Sequence, residues 1–321
     1  MSATYRVIKD HAGQRLDNFL LGLLKGVPRA RVYSMLRKGE VRVNGGRCRP
    51  SRRLAAGDVV RIPPVRASRR NGGRRQARVD GAARRRLRLD TAVLYEDEHL
   101  IVLNKPPGVA VHGGSGVSLG VIEALRATRS KGTYELIHRL DRDTSGCLAI
   151  AKDRATLLKY HAAFREGRVK KSYDLVVHGR WPRRLRAIRA PLSRYVLPNG
   201  ERRVRPDASG MPARTDLEPV DVRDAATWLR AFPKTGRTHQ IRVHAATAGH
   251  PIVGDQKYAD RSAAIAGVNR LMLHASSLTL PAGDRRRRFE APLDASFLEV
   301  WEALSADARD GKAVRSGDPD P

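Results

Sequence analysis

The sequence is short of cysteine, of acid and of long apolar runs, and each shortage removes a class of function. Only two cysteines, Cys48 and Cys147, occur in 321 residues. They lie far apart in strand-like sequence and can neither found a disulfide framework nor complete a zinc ribbon. No apolar stretch reaches the roughly 20 residues of a membrane span, and Met1–Asp10 has no signal-peptide core. A basic amphipathic helix with a strong apolar face and a lipidation motif are both missing, so no membrane partner is expected. These absences lead to the expectation of a soluble, cytoplasmic protein.

Familiar cofactor and nucleophile motifs are missing too. Gly113-Gly114-Ser115-Gly116 lacks the Lys-Ser/Thr of a phosphate-binding P-loop, and Ser145 has no G-x-S-x-G setting. His112, His138, His239, His244, His250 and His274 match no zinc or two-metal spacing, so no metal site is expected. Acid is the deepest shortage: 33 Asp and Glu stand against 62 Lys and Arg, a formal net charge of +29. Polyanions release counterions on such a surface, which makes nucleic acid the expected partner.

Composition shifts divide the chain. In residues 5–64, Leu16, Phe19, Leu20, Leu23 and Leu24 fall at helical spacing, and Pro28 opens a second helix through Val32, Met35 and Leu36, capped by Gly39. Val41-Arg42-Val43, the turn Asn44-Gly45-Gly46 and Val59–Ile62 follow as a small sheet. Arg29, Arg31, Lys38, Arg42, Arg52 and Arg53 make this unit a candidate RNA-facing surface. Residues 65–89 read as an arginine-rich linker, with ten Arg and one acid between Arg66 and Arg88. Residues 90–304 mix short strands (Leu100–Leu103, Cys147–Ala151, Tyr173–Val177, Trp228–Phe232, Leu271–His274) with helices around Val121–Arg126, Ala155–Arg165 and Gln240–Ala248. Without regular strand–helix alternation, this predicts an α+β domain with a mixed, largely antiparallel sheet. Residues 305–321 are polar, and a disordered tail is expected there.

Three clusters join charge to tight turns inside apolar flanks. They are Asn104-Lys105-Pro106-Pro107-Gly108, His138-Arg139-Leu140-Asp141-Arg142-Asp143-Thr144-Ser145-Gly146, and Gly236-Arg237-Thr238-His239-Gln240-Ile241-Arg242, the last followed by Gly249–Asp255. Asp141 precedes a turn and a buried strand, which places its carboxylate at the rim of a sheet between two arginines, where it can act as a nucleophile or a base. Alternatively Asp141 caps its own Thr-Ser turn, a role for which Asp143 is the better candidate. Lys105 reads as structural or phosphate-binding, and the Arg285–Arg288 run as a solvated hairpin tip or phosphate contact.

Residues 5–64 resemble the S4 RNA-binding domain through Arg15-Leu16-Asp17, Arg37–Gly45 and Leu54-Ala55-Ala56-Gly57-Asp58. The three clusters resemble, in the same order, the signatures of the RluA family of pseudouridine synthases. The resemblance implies an enzyme that isomerises specific uridines of large-subunit (23S) ribosomal RNA without metal, nucleotide or redox cofactor. It acts on a flipped-out uridine, and the partner is the ribosomal RNA or a pre-ribosomal particle. It implies Asp141 as the catalytic residue, acting on the base or the ribose or removing a ribose proton. Tyr173, Arg242, Arg139 and Ile241 are then substrate-binding: Tyr173 stacks on the base, Arg242 pairs with the catalytic carboxylate, and Arg139 fills the gap in the RNA. A monomer is the family's default. Tyr173 as an ordinary strand aromatic and Arg242 as a helix-surface phosphate contact remain open. So do an RNA-binding assembly factor, a base-excising glycosylase, and a synthase acting on transfer or small nuclear RNA.

Overall fold

The structure, a computed structural model, describes residues 3–8, 11–24, 27–65, 92–113, 120–129, 133–260, 265 and 267–310. The chain divides into two compact units, Met1–Val79 and Asp80–Pro321. The expected linker lies outside the described residues except for Val65.

In the first unit, β1 (Ala3–Arg6), α1 (Leu16–Leu23), α2 (Arg29–Lys38), β2 (Arg42–Val43) and β3 (Val59–Ile62) form a three-stranded antiparallel sheet, order β1-β3-β2, and two helices. Leu16, Phe19 and Leu20 of α1 meet Val32, Met35 and Leu36 of α2 and Val60 and Ile62 of β3 in one core. The chain leaves α2 through Gly39 at φ 68°, the left-handed turn that a Cβ disfavours. β1 has no alternating apolar pattern and was not expected. It forms because β3 offers it a free edge, with Ala3 opposite Ile62 and Arg6 opposite Val59. Cys48 lies in irregular chain, not in a strand.

The second unit contains β4 (Val93–Glu96), β5 (Leu100–Lys105), α3 (Val121–Thr128), β6 (Glu135–Leu136), β7 (Ser145–Ala151), α4 (Arg154–Arg165), β8 (Lys170–His178), β9 (Ala187–Arg189), β10 (Leu192–Val196), β11 (Arg202–Pro206), β12 (Arg214–Val222), β13 (Ala226–Pro233), α5 (Gln240–Thr247), β14 (Leu273–Ala282), β15 (Arg285–Glu290) and α6 (Ala295–Asp310). Ten strands build one sheet in the order β4-β5-β7-β14-β8-β13-β12-β9, with β6 on β7 and β15 on β14; β10 and β11 form a separate hairpin. Every pairing in the large sheet is antiparallel except β7 with β14.

β5 and β7 are buried on both faces, which accounts for their unbroken apolar runs. Ile101, Leu103, Leu148 and Ile150 face Ile122 and Leu125 of α3. Leu100, Val102, Cys147 and Ala149 face Leu157 and Tyr160 of α4. Each such side chain contributes roughly 1.5–3 kcal/mol on burial. α5 and α6 close another core, where Ile241, Phe297 and Trp301 meet Leu175, Leu229 and Leu273. The parallel junction depends on Gly146: at φ 107°, a Cβ there would lie 2.3 Å from the Ala275 carbonyl oxygen.

Two further expectations change. α6 runs on through residues 305–310, because Ser305-Ala306-Asp307-Ala308-Arg309 is polar yet rich in alanine, the strongest helix former; residues 311–321 lie outside the described residues. Arg285–Arg288 is a paired strand, not a hairpin tip, with Arg285 opposite Ala282 and Arg288 opposite Thr279. No helix among the described residues is long and apolar enough to cross a membrane.

Candidate active site

Asp141 sits on the loop that enters β7, and buried contacts fix that loop from several sides. Leu140 and Thr144 are buried on either side of it. Lys105, at the end of β5, points its ammonium inward and donates to the carbonyls of Pro106, Val109 and Arg142, each at 2.9 Å. Burial pushes the Lys105 pKa down to about 7, opposed by the charges of Asp143 and Asp141. Three carbonyl acceptors match the three donors of an ammonium and hold its protons on the nitrogen. Of the two readings open from sequence, structural or phosphate-binding, these three carbonyls give Lys105 the structural one. Before the loop, His138 Nε2 accepts from the Ala149 amide at 3.1 Å. Burial drops that imidazole to about 3, so the ring is neutral and can accept. Beyond it, Ser145 Oγ bonds His274 Nδ1 at 2.9 Å and accepts from Arg270 at 2.8 Å.

Asp143 does not cap the turn. Its carboxylate pairs with the Arg142 guanidinium at 3.0 Å, at the surface, where two adjacent side chains can meet without ordering the backbone. Asp141 keeps 27% of its side chain exposed, and His239 Nε2 lies 3.8 Å from its Oδ2.

A cavity of about 350 Å³ opens beside Asp141, lined also by Arg139, Tyr173, Ile241 and Arg242. All five residues singled out for chemistry and substrate binding therefore meet at one place, from the loop before β7, from β8 and from α5. Tyr173 is held between the α5–α6 core and the α3 core, and its hydroxyl makes no hydrogen bond among the described residues. Burial, then the charge of Asp141, raises its pKa, so the phenol is neutral and able to donate. Arg139 is exposed at the rim. Lys171 joins Arg139, Arg237 and Arg242 as a cation of the wall; burial lowers its pKa to about 8, and its ammonium lies 5.9 Å from the Phe164 ring centre.

Arg242 departs from its expected partner. It is buried, and its Nε and Nη2 grip Asp255, not Asp141, with Nε to Oδ2 at 2.7 Å. Burial opposes the Arg242 charge, but Asp255 and, more weakly, Asp141 favour it, and its pKa is raised. The pairing follows from the loop after α5: Gly254 at φ 76° lets the chain pass so close to Arg270 that a Cβ would lie 1.8 Å from its carbonyl oxygen, and Asp255 then turns inward. Asp255 also accepts from the amides of Lys257 (2.8 Å) and Tyr258 (3.1 Å), and Arg242 lies over the Tyr258 ring at 5.2 Å.

His239 lay inside the third cluster and was weighed only as a metal ligand, Asp255 ended the motif that follows that cluster, and Tyr258 was not singled out from sequence. The histidines weighed as ligands have other partners: His244 bonds Thr215 and the Ala190 carbonyl, His250 the His178 carbonyl, and His274 Ser145 and the Ala291 carbonyl. Among the described residues, no group of three His, Cys, Asp or Glu is placed to hold a metal ion.

The basic residues of the first unit are separately disposed. Lys38 is exposed and Arg42 half-buried; Arg31 pairs with Glu40 at 2.9 Å, Arg52 with Asp58 at 3.4 Å, and Arg53 donates to the Gly13 carbonyl at 2.9 Å. The side chain of Arg29 lies outside the described residues.

Comparison with known proteins places these features in a family. The family model described as RNA pseudouridylate synthase matches residues 99–247, and that of the S4 domain matches residues 14–60. The chain is 47% identical over 306 residues to the ribosomal large subunit pseudouridine synthase C of Yersinia pestis, covering 93% of this chain and 94% of the relative. It is 48% identical over 307 residues to the protein of the same name from Escherichia coli (strain K12), covering 93% and 95%. Among solved structures, human RNA pseudouridylate synthase domain containing 1 is 27% identical with a TM-score of 0.54, covering 71% of this chain and 96% of that one. Human RNA pseudouridylate synthase domain containing 4 is similar in fold, with a TM-score of 0.58 at 24% identity over 72% and 98%.

Proposed function

The chain belongs to the RNA pseudouridylate synthase family and is an RNA pseudouridine synthase, and from that premise we propose that it isomerises uridines of large-subunit (23S) ribosomal RNA with Asp141 as its catalytic residue. The single observation that carries the catalytic part is the cavity shared by Asp141, Tyr173 and Arg242. The choice of RNA rests on the relatives, which are named for the ribosomal large subunit. In this reading the enzyme is a cytoplasmic monomer, and free ribosomal RNA or a pre-ribosomal particle is its substrate.

A base inside a helix is out of reach, so the target uridine leaves the stack, at a cost of a few kcal/mol, and enters the cavity. Tyr173 offers its ring face to the uracil, and Arg139 at the rim is placed to fill the gap left behind. Asp141 attacks the base or the ribose, or takes a ribose proton. The N1–C1′ bond breaks, the uracil turns, C5 bonds to C1′, and the proton leaving C5 is balanced by one gained at N1. Nothing is added or lost, so every step lies within the reach of one carboxylate and a shaped cavity. Arg242, clamped by Asp255, places fixed positive charge beside the reacting carboxylate and needs no reorganisation as charge shifts. The S4 unit supplies affinity through the RNA backbone, with Lys38, Arg42 and the other basic residues as candidate phosphate contacts.

The test is to incubate unmodified large-subunit RNA, small-subunit RNA and transfer RNA separately with the protein. Pseudouridine is then mapped by carbodiimide labelling and primer extension. New stops confined to large-subunit RNA are expected. Stops on transfer RNA alone would overturn the substrate, and tight binding without stops on any RNA would favour an assembly factor.

A further inference from the structure

We propose that His239 is a positioning residue for the Asp141 carboxylate, locked by Tyr258 in the tautomer that directs an Nε2–H at Asp141. The inference rests on the reading of Asp141 as the reacting group. The Tyr258 hydroxyl oxygen accepts from the Val204 amide at 3.0 Å and lies 2.7 Å from His239 Nδ1. A hydroxyl that already accepts from an amide directs its own proton to its other neighbour, so Tyr258 donates and Nδ1 accepts. A neutral imidazole whose Nδ1 accepts carries its hydrogen on Nε2. That nitrogen is the one 3.8 Å from Asp141 Oδ2. The gap is roughly an ångström longer than a hydrogen bond, a distance a small movement of the loop closes.

The backbone points the same way. His239 has φ 54° and ψ 21° immediately before α5. Among the described residues only Asn44 and Tyr134 share a positive φ without being glycine. A histidine held there is strained, and such strain persists where the surroundings over-determine it. Here they do: the strained turn puts the ring between Tyr258 on one side and Asp141 on the other. The anchor extends further, since Lys257 pairs with Glu201 at 2.7 Å and Arg203 donates to the Lys257 carbonyl at 2.9 Å, tying the loop to β11.

The charged and titratable groups around the ring are Asp141 before β7, Arg242 on α5, and Asp255, Lys257 and Tyr258 beyond it. Burial lowers the His239 pKa most, Arg242 and Lys257 lower it further, and Asp141 and Asp255 oppose them, leaving it below the ordinary value. The ring is therefore neutral at neutral pH, as the tautomer requires.

Nitrogen NMR of ¹⁵N-histidine-labelled protein tests the tautomer without reference to turnover. Nδ1 should resonate as unprotonated and Nε2 as protonated, and Tyr258→Phe should mix the two forms. Asp141→Asn should lower the His239 titration midpoint, because it removes a neighbouring negative charge. His239→Asn keeps an acceptor near the Nδ1 position and tolerates the left-handed backbone, but offers no donor where Nε2 stood. It should slow single-turnover isomerisation roughly 100-fold, the scale of a misplaced reacting group. RNA affinity should stay within about two-fold, as expected where no phosphate contact is lost. His239→Gln restores an amide N–H near that position and should recover part of the rate. A protonated Nδ1 in the wild type, a His239 midpoint unmoved in Asp141→Asn, or full speed in a folded His239→Asn would each overturn the proposal. Product from Asp141→Asn would instead defeat the catalytic reading, a result separable from the NMR.

Discussion

The ammonium of Lys105 donates to the carbonyl of Arg142 at 2.9 Å, so a lysine buried at the end of β5 fixes the backbone one residue beyond Asp141. The same nitrogen closes the Pro-Pro-Gly turn through Pro106 and Val109. Two of the three sequence clusters are thereby one structural object. Lys105→Met leaves three part-buried carbonyls without their donor, and a loss of roughly 2–4 kcal/mol is expected. Chemical denaturation should show it as a lower midpoint, with reduced turnover in whatever remains folded. An unchanged midpoint would mean that the lysine does not hold the loop.

Arg242 and Asp255 form a buried ion pair, and breaking it from one side leaves a charge without a counter-ion. Asp255→Asn is expected to cost about 3–5 kcal/mol. Replacing both, as Arg242→Met with Asp255→Leu, removes the uncompensated charge, so the double variant should be more stable than either single one while isomerising no uridine. Thermal melting and a product assay on Asp255→Asn, Arg242→Met, Asp255→Leu and the double variant check both halves.

Glu123 gives a pH signature. Burial opposes its charge, but His112 and the amides of Gly113 and Gly120, at 2.9 and 3.0 Å, outweigh it, and the pKa falls to about 2. A carboxylate depressed from 4.5 stabilises the fold above that value and loses the contribution as pH falls toward about 2. About a third of this side chain meets water, so Glu123→Gln should cost only about 1 kcal/mol at neutral pH, after solvent screening. Melting curves at neutral pH and near pH 2 should differ in that variant's deficit, which shrinks toward the acid end.

RNA binding by the first unit should follow the pairing of each cation. Lys38→Ala with Arg42→Ala is expected to weaken binding and to reduce the log–log salt slope by up to about 2. Arg31→Ala should do less, because Arg31 already pairs with Glu40. Titrations at several salt concentrations separate the two. Equal losses would show that the ion pair opens on binding.

The parts of the structure legible in the sequence were those fixed by local pattern. The helices of the first unit, the doubly buried strands β5 and β7 and the helix after the third cluster follow from the spacing of Leu, Ile and Val. Partnerships across the fold were not legible. β7 meets β14 after more than a hundred intervening residues, through the tight contact of Gly146 with Ala275 and the bond of Ser145 with His274. The β10–β11 hairpin carries alternating Arg, Tyr and Val that read equally well as a polar loop. Arg242 was expected to face Asp141; Asp255 takes it because Gly254 turns the chain inward. His239 stood in the third cluster, but nothing local pointed to a positioning role, which depends on Tyr258, nineteen residues away.

The central claim is that the Asp141 carboxylate performs the chemistry and the rest of the cavity holds the uridine. The most direct measurement compares wild type and Asp141→Asn for pseudouridine formation in large-subunit RNA under single-turnover conditions, with RNA affinity measured in parallel. The variant is expected to bind as well as wild type and to form no detectable pseudouridine. Product at a comparable rate from Asp141→Asn would contradict the account.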